Sequence, residues 1–417
     1  MNRRARVAPA TVVTYEPHND RPRSGHERFM TTALELAEQG RGTTSPNPLV
    51  GCVLVQPAHP GADHGAIVGR GHHAVAGGPH AEVVALEAAE GFARGATAYV
   101  TLEPCSHHGR TPPCTDALIE AGVAKVVVAT LDPDPRVRGR GVERLRAAGI
   151  PVEVGVLADL AEAQNEPYLT AQREGRPWVL YKTATSLDGR TAATSGDARW
   201  VTGDAARDRV HALRGGVDAV AVGVATVLQD DPRLTTRGDH GPTPRKVVFD
   251  GAARTPVDAA LFLPDEAKRP ADVTIFVGTD APAERTAALE AAGARVVAPG
   301  GAARPDVRAA LATLHEREIR SLLLEGGGTL AAAFLAADAI DRVAWFVAPK
   351  LVGGDAPTAL AGAGAERMID ATDLTDVHYE AVGDDLLIEG RIARPPRTGA
   401  PEGASPTPDR TTSGGAP

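Results

Sequence analysis

Three side chains within a 35-residue window have the types and spacing of metal ligands: His80, Cys105 and Cys114. One imidazole and two thiolates supply three corners of a tetrahedral zinc site. A catalytic zinc keeps the fourth corner for water, whereas a structural zinc fills it with a protein ligand. These three ligands leave the fourth corner for water, and the pattern predicts one catalytic Zn²⁺ per chain.

Glu82 lies two residues after His80, where a carboxylate can move the protons of a water on the metal. The strings follow the H-x-E and P-C-x-x-C signature of zinc nucleobase deaminases, with a longer gap between the cysteines. A lone histidine near a helix start is usually structural, and cysteines nine positions apart are often unrelated thiols. Their conjunction at helix starts and strand ends favours a catalytic site, whereas we expect Cys52 to be a small core residue.

Composition excludes several classes of protein. The chain has 417 residues, enough for two or three domains, and its net charge of -9 argues against a general nucleic-acid binder. Three cysteines, two of them in the zinc motif, make a disulfide framework improbable and favour a reducing compartment. No stretch approaches the roughly 18 apolar residues of a membrane span. We expect a cytoplasmic enzyme that acts on small molecules as a homo-oligomer, with neither nucleic acid nor membrane as a partner.

Helical and strand patterns alternate along the chain, which is typical of layered α/β domains with a largely parallel or mixed sheet. We expect two domains, 26–170 and 171–392, with the boundary in the polar stretch Tyr168–Arg176. The Pro-, Gly- and Arg-rich ends, 1–25 and 393–417, are expected to be disordered tails.

The first domain is predicted to contain four helices and four strands. The helices are His26–Gln39, His80–Ala89, Cys114–Ala121 and Gly141–Ala148, and the strands are Val50–Val55, Ala98–Leu102, Lys125–Thr130 and Val152–Val156. In the second domain the predicted strands are Trp178–Thr183, Asp218–Gly223, Lys246–Phe249, Val273–Val277, Arg295–Ala298, Ser321–Leu324, Arg342–Ala348 and Leu386–Arg391. Its predicted helices are Asp204–Arg214, Asp306–Arg317 and Thr329–Ala336.

Longer strings around the zinc motif are more specific than a generic deaminase. Thr44-Ser45-Pro46-Asn47-Pro48-Leu49-Val50-Gly51-Cys52, Gly77-Gly78-Pro79-His80-Ala81-Glu82 and Thr101-Leu102-Glu103-Pro104-Cys105 closely resemble the RibD family of bifunctional riboflavin-biosynthesis enzymes. The resemblance covers about residues 26–391. It implies a cytidine-deaminase-like α/β/α domain in which His80, Cys105 and Cys114 bind zinc and Glu82 shuttles protons. It also implies that Asn47, His73 and His107 contact the substrate and that Arg110 faces its phosphate.

The second half contains a strand, a glycine triplet and a helix in that order, at Ser321-Leu322-Leu323-Leu324-Glu325-Gly326-Gly327-Gly328-Thr329. Glycines let a phosphate approach the backbone, and the helix N–H groups then receive its charge. Alone this is weak evidence, because glycines also serve tight turns. Tyr181-Lys182-Thr183-Ala184, Arg199-Trp200-Val201-Thr202 and Gln229-Asp230-Asp231-Pro232 are further strings at predicted element ends.

Together these strings resemble the reductase half of the same family, which has a dihydrofolate-reductase-like α/β fold. The resemblance implies NADPH contacts from Ala184, Trp200, Thr226, Asp230, Gly327, Gly328, Thr329, Leu330, Ala331, Ala332 and Ala333. It implies substrate contacts from Lys182, Ala198, Arg214, Leu234, Arg237 and Glu325. Lys182 and Glu325 are the titratable groups that could assist proton transfer. The preference for NADPH over NADH rests on the family alone.

The resulting hypothesis is an enzyme with two successive activities. The first is the zinc-dependent hydrolytic deamination of a phosphorylated diaminopyrimidinone. The second is the NADPH-dependent reduction of its ribosyl group to ribityl, with nicotinamide carrying the hydride. Two alternatives stay open at this point: a paralogue that acts on a related pyrimidine in a specialised pathway, and a nucleic-acid-editing deaminase with a non-catalytic second domain. The acidic charge balance opposes the last of these.

Overall fold

The computed structural model describes residues 25–59, 62, 64–107 and 113–394. These residues form two separate sheets. One has five strands in the order β2-β1-β3-β4-β5, and the other has nine in the order β10-β9-β8-β7-β11-β6-β12-β14-β13. Within the described residues no helix has the length and apolarity needed to cross a membrane.

The first sheet is mixed. Its strands are β1 (Gly51–Pro57), β2 (Gly65–His72), β3 (Thr97–Leu102), β4 (Lys125–Thr130) and β5 (Val152–Val154). β1 pairs antiparallel with β2 and β3, whereas β3, β4 and β5 run parallel. β3 is buried along its whole length, because helices cover both faces of the sheet.

Among the described residues, five helices flank this sheet: α1 (Gly25–Glu38), α2 (Ala81–Ala88), α3 (Cys114–Ala121), α4 (Arg140–Ala147) and α5 (Ala158–Gln164). A sixth helix, α6 (Glu166–Glu174), follows α5 and contacts the first strand of the second sheet. The core divides by face. Ala85, Leu118 and Leu145 bring α2, α3 and α4 to one face, and Phe29 and Ala161 bring α1 and α5 to the other. The predicted α/β/α layering is confirmed.

The second sheet contains β6 (Trp178–Ser186), β7 (Ala219–Gly223), β8 (Arg245–Phe249), β9 (Val273–Phe276), β10 (Arg295–Val297), β11 (Ser321–Leu324), β12 (Arg342–Ala348), β13 (Leu374–Val382) and β14 (Asp385–Ile392). In the spatial order of the sheet, the strands β10, β9, β8, β7, β11, β6 and β12 are parallel to their neighbours. The sheet ends in β14 and β13, which are antiparallel to theirs. Its helices are α7 (Asp204–Gly215), α8 (Val224–Asp230), α9 (Ala283–Ala291), α10 (Val307–Glu316) and α11 (Gly328–Ala336). Two short 3-10 turns lie at Ala260–Phe262 and Met368–Asp370.

The stretch that the sequence indicates as a polar boundary is helical instead, since α6 covers Glu166–Glu174. Leu169 and Ala171 are buried on this helix, but the polar residues around them hide the apolar pattern in the sequence. Asn165 anchors the α5–α6 junction to the first sheet, because its side chain accepts from the Leu49 N–H at 2.8 Å and donates to the Leu49 carbonyl at 2.8 Å. Nearly all of the two predicted tails lies outside the described residues.

Candidate functional site

The three predicted metal ligands converge. His80 immediately precedes α2, Cys114 begins α3, and Cys105 follows β3. The Nδ1 of His80 lies 3.0 Å from the Sγ of Cys114 and 3.7 Å from that of Cys105, and the two sulfurs are 3.5 Å apart. Zinc bonds of about 2.0–2.3 Å in a tetrahedron separate neighbouring donors by about 3.5–3.8 Å. The donor set therefore fits one zinc ion with small adjustments.

The surroundings of Cys105 favour its thiolate form. Hydrogen bonds from the Cys114 thiol and from His80 lower the pKa of Cys105 to about 4 against the opposing effect of burial. The backbone N–H of Cys114, at the start of α3, donates to the Cys105 sulfur at 3.3 Å. The hydrogen bond with Cys105 and burial raise the pKa of Cys114, and a dication between the two sulfurs would reverse this.

Glu82 is the second residue of α2, and its side chain points into the same region. Its carboxyl is 3% exposed, and its Oε2 has no hydrogen-bond partner among the described residues. Burial, reinforced by the charge of Cys105, raises the pKa of Glu82 to about 7. A carboxyl that titrates near neutrality can both accept and return a proton at physiological pH.

A cavity of about 530 Å³ opens onto this cluster and is lined by three of the four residues expected to contact substrate: Asn47, His73 and His107. His73 Nδ1 donates to the Pro79 carbonyl at 2.9 Å, so its Nε2 is the acceptor for the Asn47 amide at 3.1 Å. Burial lowers the pKa of His73, which keeps the ring neutral. Arg110, the fourth residue, lies outside the described residues.

The second predicted site gathers at the carboxyl ends of β7, β11 and β6, which are neighbours in the sheet. Ligands of open α/β sheets bind at this edge. Glu325 directly follows β11 and forms a bidentate pair with Arg214 of α7, with N–O distances of 2.7 and 2.9 Å. Lys182 of β6 is close enough for Glu325 and Arg214 to influence it, and burial lowers its pKa.

The other expected substrate contacts spread over the loops beside this pair. Arg214 also donates to the carbonyl of Thr235, next to Leu234, which is buried and has a positive φ of 52°. Arg237 is exposed, and Ala198 is half-buried in the loop before α7.

Most of the expected NADPH contacts lie at helix starts on the same edge. Gly327 precedes α11, whose first residues are Gly328, Thr329, Leu330, Ala331, Ala332 and Ala333. Leu330 packs against Gly223, which precedes α8, the helix that carries Thr226 and Asp230. The two helix starts therefore adjoin, and Ala184 lies on the neighbouring β6.

Three of these residues, Ala331, Trp200 and Gly328, lie in surroundings that restrict what they can contact. The side chain of Ala331 is fully buried in the core, so only its backbone can face a ligand. Trp200 is 61% exposed, and Arg207 stacks on its ring at 4.5 Å from the centroid. Gly328 must be glycine, because a Cβ there would lie 2.4 Å from the carbonyl oxygen of Thr358. That contact is with the protein's own backbone, whereas a Cβ at Gly327 would meet no described atom within 4 Å, which leaves room for a ligand beside the start of α11.

Sequence reasoning missed several residues at both sites. Glu103, Asp132, Tyr168 and Arg320 line the first cavity without having been assigned a role. Glu103 stands in a string that was noticed, but nothing local revealed the partners of its carboxylate. At the second site His211, one turn before Arg214, feels the charges of Arg214, Arg237 and Glu325.

Comparison with known proteins covers both halves. Residues 177–388 match the RibD C-terminal domain, and residues 23–130 match the cytidine and deoxycytidylate deaminase zinc-binding region. The chain is 41% identical to the riboflavin biosynthesis protein RibD of Escherichia coli over 376 residues, or 87% of this chain and 98% of that protein. It is 42% identical to RibD of Mycobacterium tuberculosis over 366 residues, 87% of this chain and 96% of that protein. Solved structures of Acinetobacter baumannii RibD superpose with a TM-score of 0.77 at 39% identity, covering 89% of this chain and 99% of that one.

Proposed function

The chain belongs to the RibD family of riboflavin-biosynthesis proteins, and from that premise we propose what its residues do. The protein is a bifunctional enzyme with a zinc-dependent deaminase and an NADPH-dependent reductase. We propose that the deaminase acts on 2,5-diamino-6-(5-phosphoribosylamino)pyrimidin-4(3H)-one. The reductase would then convert the ribosyl group of 5-amino-6-(5-phosphoribosylamino)uracil to ribityl.

The deaminase proposal is carried by the buried carboxyl of Glu82, whose Oε2 has no hydrogen-bond partner among the described residues, beside three converging zinc ligands, His80, Cys105 and Cys114. When bound, zinc supplies a water that ionises near neutral pH. Glu82 accepts the proton released as the oxygen adds to the amine-bearing ring carbon, and passes it to the ring nitrogen. A second transfer through Glu82 protonates the departing amine, which leaves as ammonia, and the ring carbon becomes a carbonyl.

Asn47 and His73 orient the ring in this proposal. Because the Nε2 of His73 accepts from the Asn47 amide nitrogen, the amide oxygen of Asn47 is directed away from His73 and can accept from a ring N–H or amine. His107 at the cavity lining and Arg110 are proposed contacts to the sugar and its phosphate.

The reductase proposal rests on the adjoining helix starts and on the Arg214–Glu325 pair. NADPH supplies the hydride to the opened sugar. The N–H groups at the start of α11 would receive the cofactor's phosphates, with Ala184, Trp200, Thr226 and Asp230 beside them. Arg214, with Lys182, would bind the substrate, and the lowered pKa of Lys182 suits it to give a proton to the imine nitrogen of the opened sugar as the hydride reaches C1′. Ala198, Leu234, Arg237 and Glu325 complete the proposed substrate contacts.

A matched pair of variants tests the deaminase assignment. Glu82→Gln keeps the shape of the side chain but removes its base, so ammonia release is expected to fall by at least 100-fold. Its zinc content and NADPH oxidation with the aminouracil substrate are expected to remain. Glu87→Gln changes an exposed acid on the same helix and should retain both activities. Ammonia release at the wild-type rate in Glu82→Gln would overturn the proposed proton shuttle.

Two further points belong to the proposal. We propose a cytoplasmic location, because the three cysteines are free and Cys105 and Cys114 serve zinc only as thiols. We also propose a homo-oligomer, which light scattering of the purified protein tests directly; a monomeric mass at assay concentration would contradict it.

A further inference from the structure

The cavity at the zinc cluster is not built by the first half of the chain alone. Glu318 and Arg320, from the turn between α10 and β11 in the second half, also line it. Tyr168 of α6 lines the same cavity beside them. The second half therefore supplies part of the wall of the proposed deaminase site.

Arg320 is a half-buried cation that forms no salt bridge among the described residues. Its Nη1 donates to the His315 carbonyl at 2.8 Å, and its Nε is buried without a hydrogen-bond partner. The charges of Asp218 and Glu318 act on its guanidinium without forming an ion pair with it. The nearby Asp218 is already engaged, because it accepts the backbone N–H groups of Arg320 and Ser321 at 2.7 and 3.0 Å.

The other arginine that lines the described part of the cavity is in a different state. Arg136 forms a salt bridge with Asp134 at 2.6 Å, and its side chain is 77% exposed. Its charge is therefore balanced and solvated. Arg320 has no such salt bridge and is half-buried, with its Nε unpaired among the described residues, and a partly desolvated guanidinium with free donor positions favours an anion that can accept from its planar fork.

We propose that Arg320 binds the phosphate of the deaminase substrate, so that the reductase half completes the substrate site of the deaminase half. The inference rests on the proposed deaminase function. A cavity of about 530 Å³ is large enough for a pyrimidine carrying a ribosyl phosphate. A phosphate dianion would accept from the free guanidinium donors and form the ion pair that Arg320 otherwise lacks.

The placement of Arg320 also ties the two sites together. Arg320 precedes β11, and Glu325 of the reductase site follows it. Five residues of extended chain span about 16 Å. One short strand thus carries a substrate-binding side chain at each end, one for each proposed reaction.

Substrate with and without its phosphate tests the inference. For Arg320→Met, the KM of ammonia release from the pyrimidine ribosyl phosphate is expected to rise about 10- to 100-fold, as loss of charge-assisted hydrogen bonds would give. The kcat should stay within about twofold, and the KM for the dephosphorylated substrate should hardly change. Arg320→Lys keeps the positive charge but not the planar guanidinium, so its KM for the phosphorylated substrate should lie between those of wild type and Arg320→Met. Arg317→Met is the matched control, because Arg317 lies on the same turn but bonds to Asp272 at 3.2 Å.

Reductase activity in each variant reports whether the second half is folded. If Arg320→Met loses reductase activity, Arg320→Lys replaces it as the test variant. The quantity compared is again the ratio of the KM values for the phosphorylated and dephosphorylated substrates. An unchanged ratio between the phosphorylated and dephosphorylated substrates, in an otherwise active enzyme, overturns the role of Arg320 alone. A wild-type enzyme that releases no ammonia from the ribosyl phosphate overturns the proposed function, and this inference with it.

Discussion

Glu103 is expected to be the residue whose neutralisation most weakens the first half of the chain. It follows β3 and is 4% exposed. Its carboxylate accepts four backbone N–H groups: Oε2 from Asp132 at 3.3 Å and Gly139 at 2.9 Å, and Oε1 from Gly141 at 2.9 Å and Val142 at 3.2 Å. One side chain thereby holds the loop after β4 and the start of α4 against the strand that leads into Cys105.

The cost of Glu103→Gln follows from this geometry. An amide oxygen can still accept two of the N–H groups, but the new NH₂ group faces the other two as a donor. Each buried donor left without an acceptor costs about 1–3 kcal/mol, so the variant should lose about 2–6 kcal/mol of unfolding free energy. Repacking cannot relieve this, because Gly141 lies too close: a Cβ there would be 2.1 Å from the Pro104 carbonyl.

Urea unfolding of the zinc-loaded enzyme measures the effect, with metal release to a chromogenic chelator reporting the first half and NADPH oxidation reporting the second. In Glu103→Gln, metal release should move to lower urea while reductase loss stays in place. Glu153→Gln is the control, since its carboxylate is half-exposed and pairs only with Lys125 and His26, worth at most about 1 kcal/mol. The reasoning is refuted if both variants release zinc at the same urea concentration as wild type.

Three other changes have defined outcomes. Cys114→Ser should reduce bound zinc, measured by metal analysis, to below about a tenth of wild type, whereas Cys52→Ser, in the core, should retain it. Arg214→Met strands the buried Glu325 carboxylate, so NADPH oxidation should be lost and the second half destabilised by about 3–5 kcal/mol in thermal melts, with ammonia release preserved. Burial raises the pKa of Glu389 to about 7 from 4.5, so its contribution to stability is present below pH 4.5 and is lost as pH rises through 7. Glu389→Gln should therefore stabilise the second half at pH 8 by up to about 3 kcal/mol and leave it unchanged at pH 4, and equal melting shifts at both pH values would contradict this.

Elements with strong local signals were predictable from sequence. The bounds of α3, β4, β11 and β12 agree with the prediction, because each is an apolar run or an amphipathic turn closed by a clear break, such as Gly122 in the left-handed conformation after α3. The helices α5 and α9 were missed because their Ala- and Glu-rich sequences show little periodicity. The edge strand β13 was missed because most of its residues are exposed.

The strand β2 was missed for a different reason. It contains Gly65, Gly69 and Gly71, and glycine disfavours strands. The structure requires all three glycines. A Cβ at Gly65 would lie 2.0 Å from the Gln56 carbonyl oxygen on β1, one at Gly69 2.2 Å from that of Ala85, and one at Gly71 2.3 Å from that of Ala81. The helix α2, which carries Glu82, packs directly on the backbone of this strand. Two of the residues that weaken the strand signal, Gly69 and Gly71, are thus those that let the helix approach.

The site residues that the sequence identified have a local signal, whereas those that it missed depend on tertiary contacts. His80, Glu82, Cys105 and Cys114 are identifiable because chemistry fixes their types and the elements between them fix their spacing. Arg320 has no such signal in the sequence. It stands out because its Nε has no hydrogen-bond partner among the described residues and because it lines a cavity built mainly by the first half of the chain. Only a folded chain shows which arginine is left without a carboxylate.

The strand β11 gives this arrangement a mechanical basis. At its amino end, Asp218 holds the backbone of Arg320 and Ser321, and at its carboxyl end the Glu325 N–H donates to the Ala221 carbonyl at 2.9 Å. Asp218 directly precedes β7 and Ala221 lies within it, so the register of β11 on β7 fixes the positions of both Arg320 and Glu325. A slip of one residue would turn every side chain to the opposite face, removing Arg320 from one cavity and Glu325 from Arg214 at the same time. The fusion of the two halves in one chain therefore does more than link them covalently, because the pairing of β11 with β7 that places Glu325 in the proposed reductase site also places Arg320 at the proposed deaminase site.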